Sequence, residues 1–509
     1  MKSSAPDTAE TPAVTALPAR IRDYEIWGRL GEGGMSDVWL AKHALLGVPL
    51  IFKTVKASIG AGATSGTREL SRVLEEARLM ARITNPRVVR AIDAGVHEGV
   101  HYLVEEYVDG IDLAELDRRR RASLGVGLPL WFVAQCMRQT CEALHAAHQA
   151  GVVHRDVKPS NLFGSPESGV RLGDFGIAVR GNECESELGG TLRFMAPEQL
   201  ARGEFSRRSD VWGAGATACD LRYGQPPFAS LGELLDVDAP PSMPPPTSSA
   251  EAYFQHLLRS MLAKDPSLRP ADAAEPGREF GVLEAALAGA QRVAFTWLDR
   301  NSFRVGDCAV SLRVGDLADA AADVIVSSAN YEMKMRTGSA DALRRRGGDV
   351  IEEQAREGGE RPLGTCVVTT AGALEAKHVV HAVSAWNEAS CIGRAMQRAL
   401  LLGDEVGART LAMPALGTGL ARVTIETCAN AMMSALRWHL VLGGTRLRHV
   451  DVILGSEEKL RAYREVAEEA LRDQGASRAA VDLGLPVESG VVRVEGATFL
   501  DPGSTRSAR

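Results

Sequence analysis

Residues 152–162 read VVHRDVKPSNL. An apolar, strand-like lead runs into a loop with Asp156, Lys158 and Asn161 at offsets 0, +2 and +5. Eighteen residues after Asp156 comes Asp174-Phe175-Gly176, and Ala196-Pro197-Glu198 follows later. Few folds accommodate an acid, a cation, an amide and a second acid in this order. The upstream chain narrows the choice further. Glu25–Leu40 is EIWGRLGEGGMSDVWL, in which Gly31-x-Gly33-Gly34 separates two strand-like runs. Glycines let a backbone approach a ligand closely, and their N–H groups can cradle phosphate. Alone, the same residues read equally as a hairpin turn. Lys53 lies in the apolar run VPLIFKTV, where a charge must find a partner or face a site. Leu70, Val73, Leu74, Ala77, Met80 and Ile83 then mark one face of a helix over 68–83. Glu76 borders that stripe and could point at Lys53, although by itself it reads as a solvated helix residue.

These motifs, in this order, resemble a eukaryotic-type Ser/Thr protein kinase over about residues 22–285. The resemblance implies a bilobal kinase fold with ATP and Mg²⁺ as cofactors. Phosphoryl transfer asks for positioning and charge neutralisation more than covalent help. Lys53, held by Glu76, would bind the α- and β-phosphates. Asn161 and Asp174 would hold Mg²⁺, a hard cation that prefers oxygen. Asp156 would accept or orient the substrate hydroxyl proton, and Lys158 would neutralise the transferring phosphoryl. Leu30, Gly31, Gly33, Ser36 and Val38 would form the phosphate loop and cover the adenine. Glu106 and Val108 would form the hinge. Thr191, Asp210 and the pair Glu198–Arg269 match supporting positions of the family, and Ser186 is the nearest candidate for activation-loop phosphorylation.

Three positions depart from the family pattern. Ser36 stands where the third glycine is usual. Ile51 replaces the small residue that normally lies over adenine. Glu105 falls at the gatekeeper position, usually Met, Thr, Leu or Phe, and a buried carboxylate there needs a partner or must protonate. These changes question the fit of adenine. They leave Lys53, Asp156 and Asp174 in place, whereas a pseudokinase scaffold, the competing reading, normally lacks one of them.

The second half alternates strand-like and helical segments. FRVGDCAVSLRV leads to Val324-Ile325-Val326, a short apolar run of the kind found in buried parallel strands. Further strand-like runs are 365–370, 378–383, 410–414 and 449–454, with helical patterns over 341–356, 390–402, 424–442 and 457–472. The alternation predicts a three-layer α/β domain with a mixed sheet. Ligands in such sheets sit at the carboxyl ends of strands. One candidate loop there ends at Asn330, and the other is ALGTGL, 415–420. Asp316 reads as a turn residue and Asn330 as a helix cap on ordinary turn chemistry.

The segments G-D-L at 315–317, D-V-I-V-S-S-A-N ending at Asn330, K-H-V-V-H-A and P-A-L-G-T-G resemble a macro domain over about 302–470. That family binds ADP-ribose and its derivatives. The resemblance implies that Asp316 bonds the adenine amino group, Leu317 adds a backbone contact and Asn330 holds the distal ribose. Gly417, Thr418, Gly419 and Leu420 would wrap the diphosphate. The family's Gly-rich stretch is MRTGSA here, and Ala421-Arg422 stands where a stacking aromatic is common. Asp341 is near the hydrolytic members' acid, without a fixed register. Binding is therefore favoured over ADP-ribosyl hydrolysis.

Composition sets the frame. The 509 residues are 45% hydrophobic and 24% charged, ordinary for a soluble globular protein. A net charge of −7 argues against a chain-wide field for nucleic acid. Eight cysteines without a C-x-x-C pair suit free thiols in a reducing cytoplasm. No apolar stretch suits a membrane anchor or secretory signal. The expected organisation is a disordered leader over 1–21, a kinase domain over 22–285, a connector over 286–301, a macro-like domain over 302–470 and a partly disordered extension over 471–509. Protein substrates and ADP-ribose, or a related nucleotide, are the expected partners.

Overall fold

The computed structural model describes residues 17–32, 36–55, 77–78, 80–175, 192–291, 294–386, 389–419, 422–472, 493–494 and 497–498. The first half opens with an antiparallel sheet. Its strands are β1 (Tyr24–Glu32), β2 (Ser36–His43), β3 (Pro49–Val55), β4 (Ala91–His97) and β5 (Val100–Glu106). The short strand Arg20–Ile21 edges β1, and the spatial order continues β1-β2-β3-β5-β4. Glu98 and Gly99 both take positive φ, 50° and 81°, as the tight turn between β4 and β5 requires. The sheet has two unlike faces, because side chains alternate along each strand. Leu50, Phe52, Tyr102 and Val104 pack with Tyr24 on one face. Leu30, Val38, Leu40 and Ile51 lie together on the other.

A helical lobe follows the hinge. Helix α1 (Leu113–Leu124) starts where Asp112 accepts the Glu115 N–H at 2.8 Å and ends at Gly125, φ 68°. Helix α2 (Leu130–Gln149) packs against α4 (Arg207–Tyr223), and both are largely buried. Between them lie the hairpin β6 (Leu162–Ser165) and β7 (Gly169–Leu172) and the short helix α3 (Pro197–Arg202). Helices α5 (Ser249–Met261) and α6 (Ala274–Ala286) complete the lobe. Pro-rich 238–247 forms an irregular loop inside it. Glu198 and Arg269 are both buried and meet through a two-pronged pair at 2.6 and 2.8 Å. Removing one partner of such a pair typically costs about 3–5 kcal/mol, because the other charge stays buried.

The second half is one eight-stranded mixed sheet. In chain order its strands are β8 (Phe295–Trp297), β9 (Ser302–Val305), β10 (Cys308–Val314), β11 (Ala322–Ala329), β12 (Cys366–Thr370), β13 (Ala376–Val383), β14 (Thr410–Pro414) and β15 (His449–Leu454). Their spatial order is β8-β9-β10-β15-β14-β11-β13-β12. The central pairings from β10 to β13 are parallel, and the outer strands are antiparallel. Strand β8 lies inside the stretch read from sequence as a connector, and it edges this sheet.

Successive residues of β11 serve two cores. Val324 and Val326 pack with α9 (Ile392–Glu405), α10 (Ile425–Val441) and α11 (Glu457–Arg472). Ile325 packs on the opposite face with Leu343 of α7 (Gly338–Gly347) and Ile351 of α8 (Val350–Arg356). The helix expected over 341–356 thus breaks at Gly347-Gly348, where Gly348 takes φ 95°. The outcome is a three-layer α/β/α arrangement.

Candidate functional site

The loop that carries Asp156 sits on a buried anchor. Asp210, at the start of α4, accepts N–H bonds from His154 and Arg155, both at 2.8 Å. Its carboxylate also meets His148 Nε2 at 2.9 Å. Arg155 and Asp174 both adopt positive φ, 74° and 56°. Such conformations persist only where the surroundings over-determine them. Around Arg155, the Asp210 bond and a Gln199 Nε2 bond to its carbonyl at 3.2 Å supply that restraint. His154 stacks at a tilt on Phe175, with ring centroids 4.4 Å apart, and burial pulls its pKa down.

Asp156 and Lys158 meet at 2.8 Å. Asn161 Nδ2 donates to the Asp156 carbonyl at 2.8 Å and to its carboxylate at 3.1 Å. With its nitrogen committed, the Asn161 side chain keeps its oxygen for a cation. Gly173 N–H bonds the Asn161 carbonyl at 3.0 Å, which ties the loop to the segment carrying Asp174. Asp174 uses one oxygen on Lys53, and its side chain is 42% exposed. An amide oxygen and a carboxylate oxygen on neighbouring segments suit Mg²⁺, which takes few protein ligands and relies on phosphate and water for the rest.

Lys53 has an unexpected second partner. Its Nζ lies 2.6 Å from Glu105 Oε2, besides the contact with Asp174. Burial lowers the pKa of Lys53, but Asp174 and Glu105 outweigh it and hold the ammonium charged. Glu76, the partner expected from sequence, lies outside the described residues. So do Gly33, Ser186 and Thr191. Ser36 opens β2, Leu30 and Gly31 lie on β1, and Val38 lies on β2. Glu106 closes β5, where its carboxylate meets Arg171 at 2.6 Å, and Val108 follows in the hinge.

The hinge carries an arrangement that sequence reading missed. Asp109 accepts the N–H groups of Gly393 and Arg394 at 2.8 and 2.9 Å, and so caps α9 of the second half. Tyr107 also donates to Asp109, at 3.0 Å. Leu30, Val38, Leu40 and Ile51 share one apolar cluster with Met333, Leu363, Val383 and Cys391. A Cβ on Gly28 would meet Leu363 at 3.3 Å. Nearby, Arg398 grips Glu115 with both ends of its guanidinium and bonds the Gly364 carbonyl at 2.8 Å. Trp438 packs edge-on against Phe132, with centroids 5.3 Å apart. The second half is thus seated on the hinge, on α1 and beneath the first sheet.

In the second half, the expected ligand loops lie at the carboxyl ends of parallel strands. Ser328, near the end of β11, accepts the Gly417 N–H of the loop after β14 at 3.4 Å. Gly417 takes φ 73°, and Thr418 Oγ1 donates to the Ala415 carbonyl at 2.9 Å. Gly419 follows, and Leu420 lies outside the described residues. Asp316, after β10, accepts the Ala318 N–H at 2.9 Å, and Leu317 is buried behind it. Asn330 accepts the Lys334 N–H at 3.0 Å. Both side chains therefore shape their own turns and keep capacity for a ligand. Asp341 is engaged by Arg344 and Arg345, at 2.9 and 2.7 Å.

Comparison with known proteins follows the same division. Residues 24–276 match the protein kinase domain family, and residues 326–432 match the macro domain family. The chain is 32% identical over 290 residues to the serine/threonine-protein kinase Pkn1 of Myxococcus xanthus, covering 54% of this chain and 40% of that one. It is 31% identical over 258 residues to serine/threonine-protein kinase PknF of Mycobacterium tuberculosis, covering 49% and 53%. It is 29% identical over 273 residues to the probable serine/threonine-protein kinase pknA2 of Bifidobacterium longum, covering 52% and 35%. The chain therefore spans about a third to a half of the length of these relatives. Among the described residues, no helix is long and apolar enough to cross a membrane. The chain thus carries a protein kinase domain followed by a macro domain.

Proposed function

We propose that the chain transfers the γ-phosphoryl group of ATP, with Mg²⁺, to serine or threonine hydroxyls of proteins, and that its macro domain binds ADP-ribose or a related nucleotide. One observation carries the first part. Asp156, Lys158 and Asn161 share a braced loop, and that loop is bonded to the segment that places Asp174 on Lys53. Mg²⁺, when bound by Asn161 and Asp174, would offset charge on the phosphates. Asp156 takes the hydroxyl proton as the hydroxyl oxygen bonds to phosphorus and the bond to the ADP oxygen breaks. Lys158 balances charge on the transferring group, and Lys53 holds the phosphates that leave with ADP. The macro reading is supported by the two loops meeting through Ser328 and Gly417 at the strand ends, where such sheets bind ligands.

Seating the macro domain on the hinge adds regulation to this reading. Leu30, Val38 and Ile51 would cover one face of adenine, and in this conformation Met333 and Leu363 pack against that surface. ATP then competes with the macro domain for one apolar face. Met333 follows closely on Asn330, so a nucleotide held by Asn330 acts on the same loop. Unpaired, buried thiols such as Cys136, Cys391 and Cys428 are in keeping with a reducing cytoplasm.

Three outcomes are expected. Incubated with Mg-ATP, the wild-type chain labels itself or a generic protein substrate, and Asp156→Asn lowers the rate by about 10²–10⁴-fold. Equal labelling by wild type and variant contradicts the kinase reading. In calorimetry, ADP-ribose binds the full chain, and Asp316→Ala weakens it by about tenfold, the worth of one lost hydrogen bond. Absence of heat at millimolar ligand contradicts the macro reading. Leu363→Asp loosens the docked face and tightens apparent ATP binding several-fold, because a larger fraction of molecules is competent to bind. An unchanged ATP affinity contradicts the covering role.

A further inference from the structure

We propose that Glu105 is a positioning residue for Lys53, taking on the work of the helix carboxylate that the kinase pattern assigns to Glu76. The proposal rests on the phosphoryl-transfer reading above. Its basis is the register of two strands. Strand β3 pairs antiparallel with β5, with Ile51 opposite Glu105 and Lys53 opposite Leu103. Lys53 and Glu105 are therefore diagonal neighbours on one face, a spacing that long side chains bridge. Oε2 of Glu105 lies 2.6 Å from the ammonium, and the Glu105 side chain is 4% exposed. Its other oxygen, Oε1, is buried without a hydrogen bond. Lys53 is thus the described partner that justifies a carboxylate at this depth.

The arrangement differs from a mobile helix carboxylate in one respect. Glu105 is fixed by strand pairing on both sides, to β3 and to β4. Lys53 is consequently held from within the sheet itself. Asp174 is the other holder, and it is also a magnesium ligand in the proposed function. When Asp174 turns its carboxylate to a cation, Glu105 keeps the ammonium aimed into the cleft. Among the described residues, an apolar gatekeeper of the usual family type would leave Lys53 to Asp174.

The test uses the full chain and two readouts, Asp156-dependent phosphate transfer and the Kd for Mg-ATP. Glu105→Met installs the usual family residue, and Glu105→Gln keeps an acceptor of the same shape. Glu105→Met is expected to lower the Tm, since it removes one partner of a buried pair and leaves the Lys53 ammonium with Asp174. Both kcat and Kd are therefore read below the unfolding transition, and Glu105→Gln serves as the better-folded comparison. The kcat of Glu105→Met falls by roughly tenfold or more, with Glu105→Gln between it and wild type. The loss exceeds that caused by Glu76→Ala. Wild-type kcat and Kd in Glu105→Met, or a larger loss in Glu76→Ala, overturns the proposal. If wild type binds Mg-ATP but transfers nothing, the kinase reading falls, and Glu105 is judged by Kd alone. A Kd weakened more in Glu105→Met than in Glu76→Ala supports it, and the reverse order rejects it.

Discussion

Burying the Lys53 ammonium is the constraint around which the first half is arranged. An ion of this kind loses several kcal/mol of solvation on leaving water unless charges replace it. Two carboxylates do so here, Glu105 from β5 and Asp174 from the segment after β7. The pair draws both lobes onto one point, since Glu105 belongs to the sheet and Asp174 follows the hairpin of the helical lobe. The loop of Asp156 joins through Gly173 and Asn161, and Asp210 fixes its backbone from below. Asp156, Lys158 and Asn161 are thereby within a short chain of bonds from one buried cation.

A second constraint is apolar. The lower face of the first sheet presents Leu30, Val38, Leu40 and Ile51, and each such side chain is worth about 1.5–3 kcal/mol when taken fully out of water. Met333 and Leu363 of the macro domain supply that cover. Partly exposed ion pairs such as Arg119–Glu405 are worth about 1 kcal/mol or less. The apolar contact therefore dominates the docking energy, while Asp109 on the first turn of α9 and Arg398 on Glu115 fix its orientation.

Legibility in the sequence followed from how local each signal is. The catalytic loop, the glycine turn and the strands of the second half are written in contiguous residues with fixed offsets, so their elements could be read directly. The strand ends of β11 and β14 were legible for the same reason. The Glu105–Lys53 pair was half legible. Chemistry demanded a partner for a buried Glu105, but only the β3–β5 register identifies it. Leu363 and Met333 gave no signal at all, because a lone apolar residue in a turn looks alike whether it meets its own domain or another. Asp109 in YVDG reads as a turn residue until α9 arrives against it. The strand Phe295–Trp297 gives no signal either, because three residues are too few to show strand alternation.

In the function proposed above, ATP and the macro domain compete for one face of the kinase cleft. Hydrogen exchange of the full chain with and without saturating Mg-ATP separates competition from independent binding. Under competition, nucleotide slows exchange in 30–32, 50–55 and 103–108 while exchange in 331–335 and 361–364 speeds up, as the macro domain gives way. Slower exchange in the cleft with the macro segments unchanged would contradict it, because ATP would then bind without displacing Met333 and Leu363.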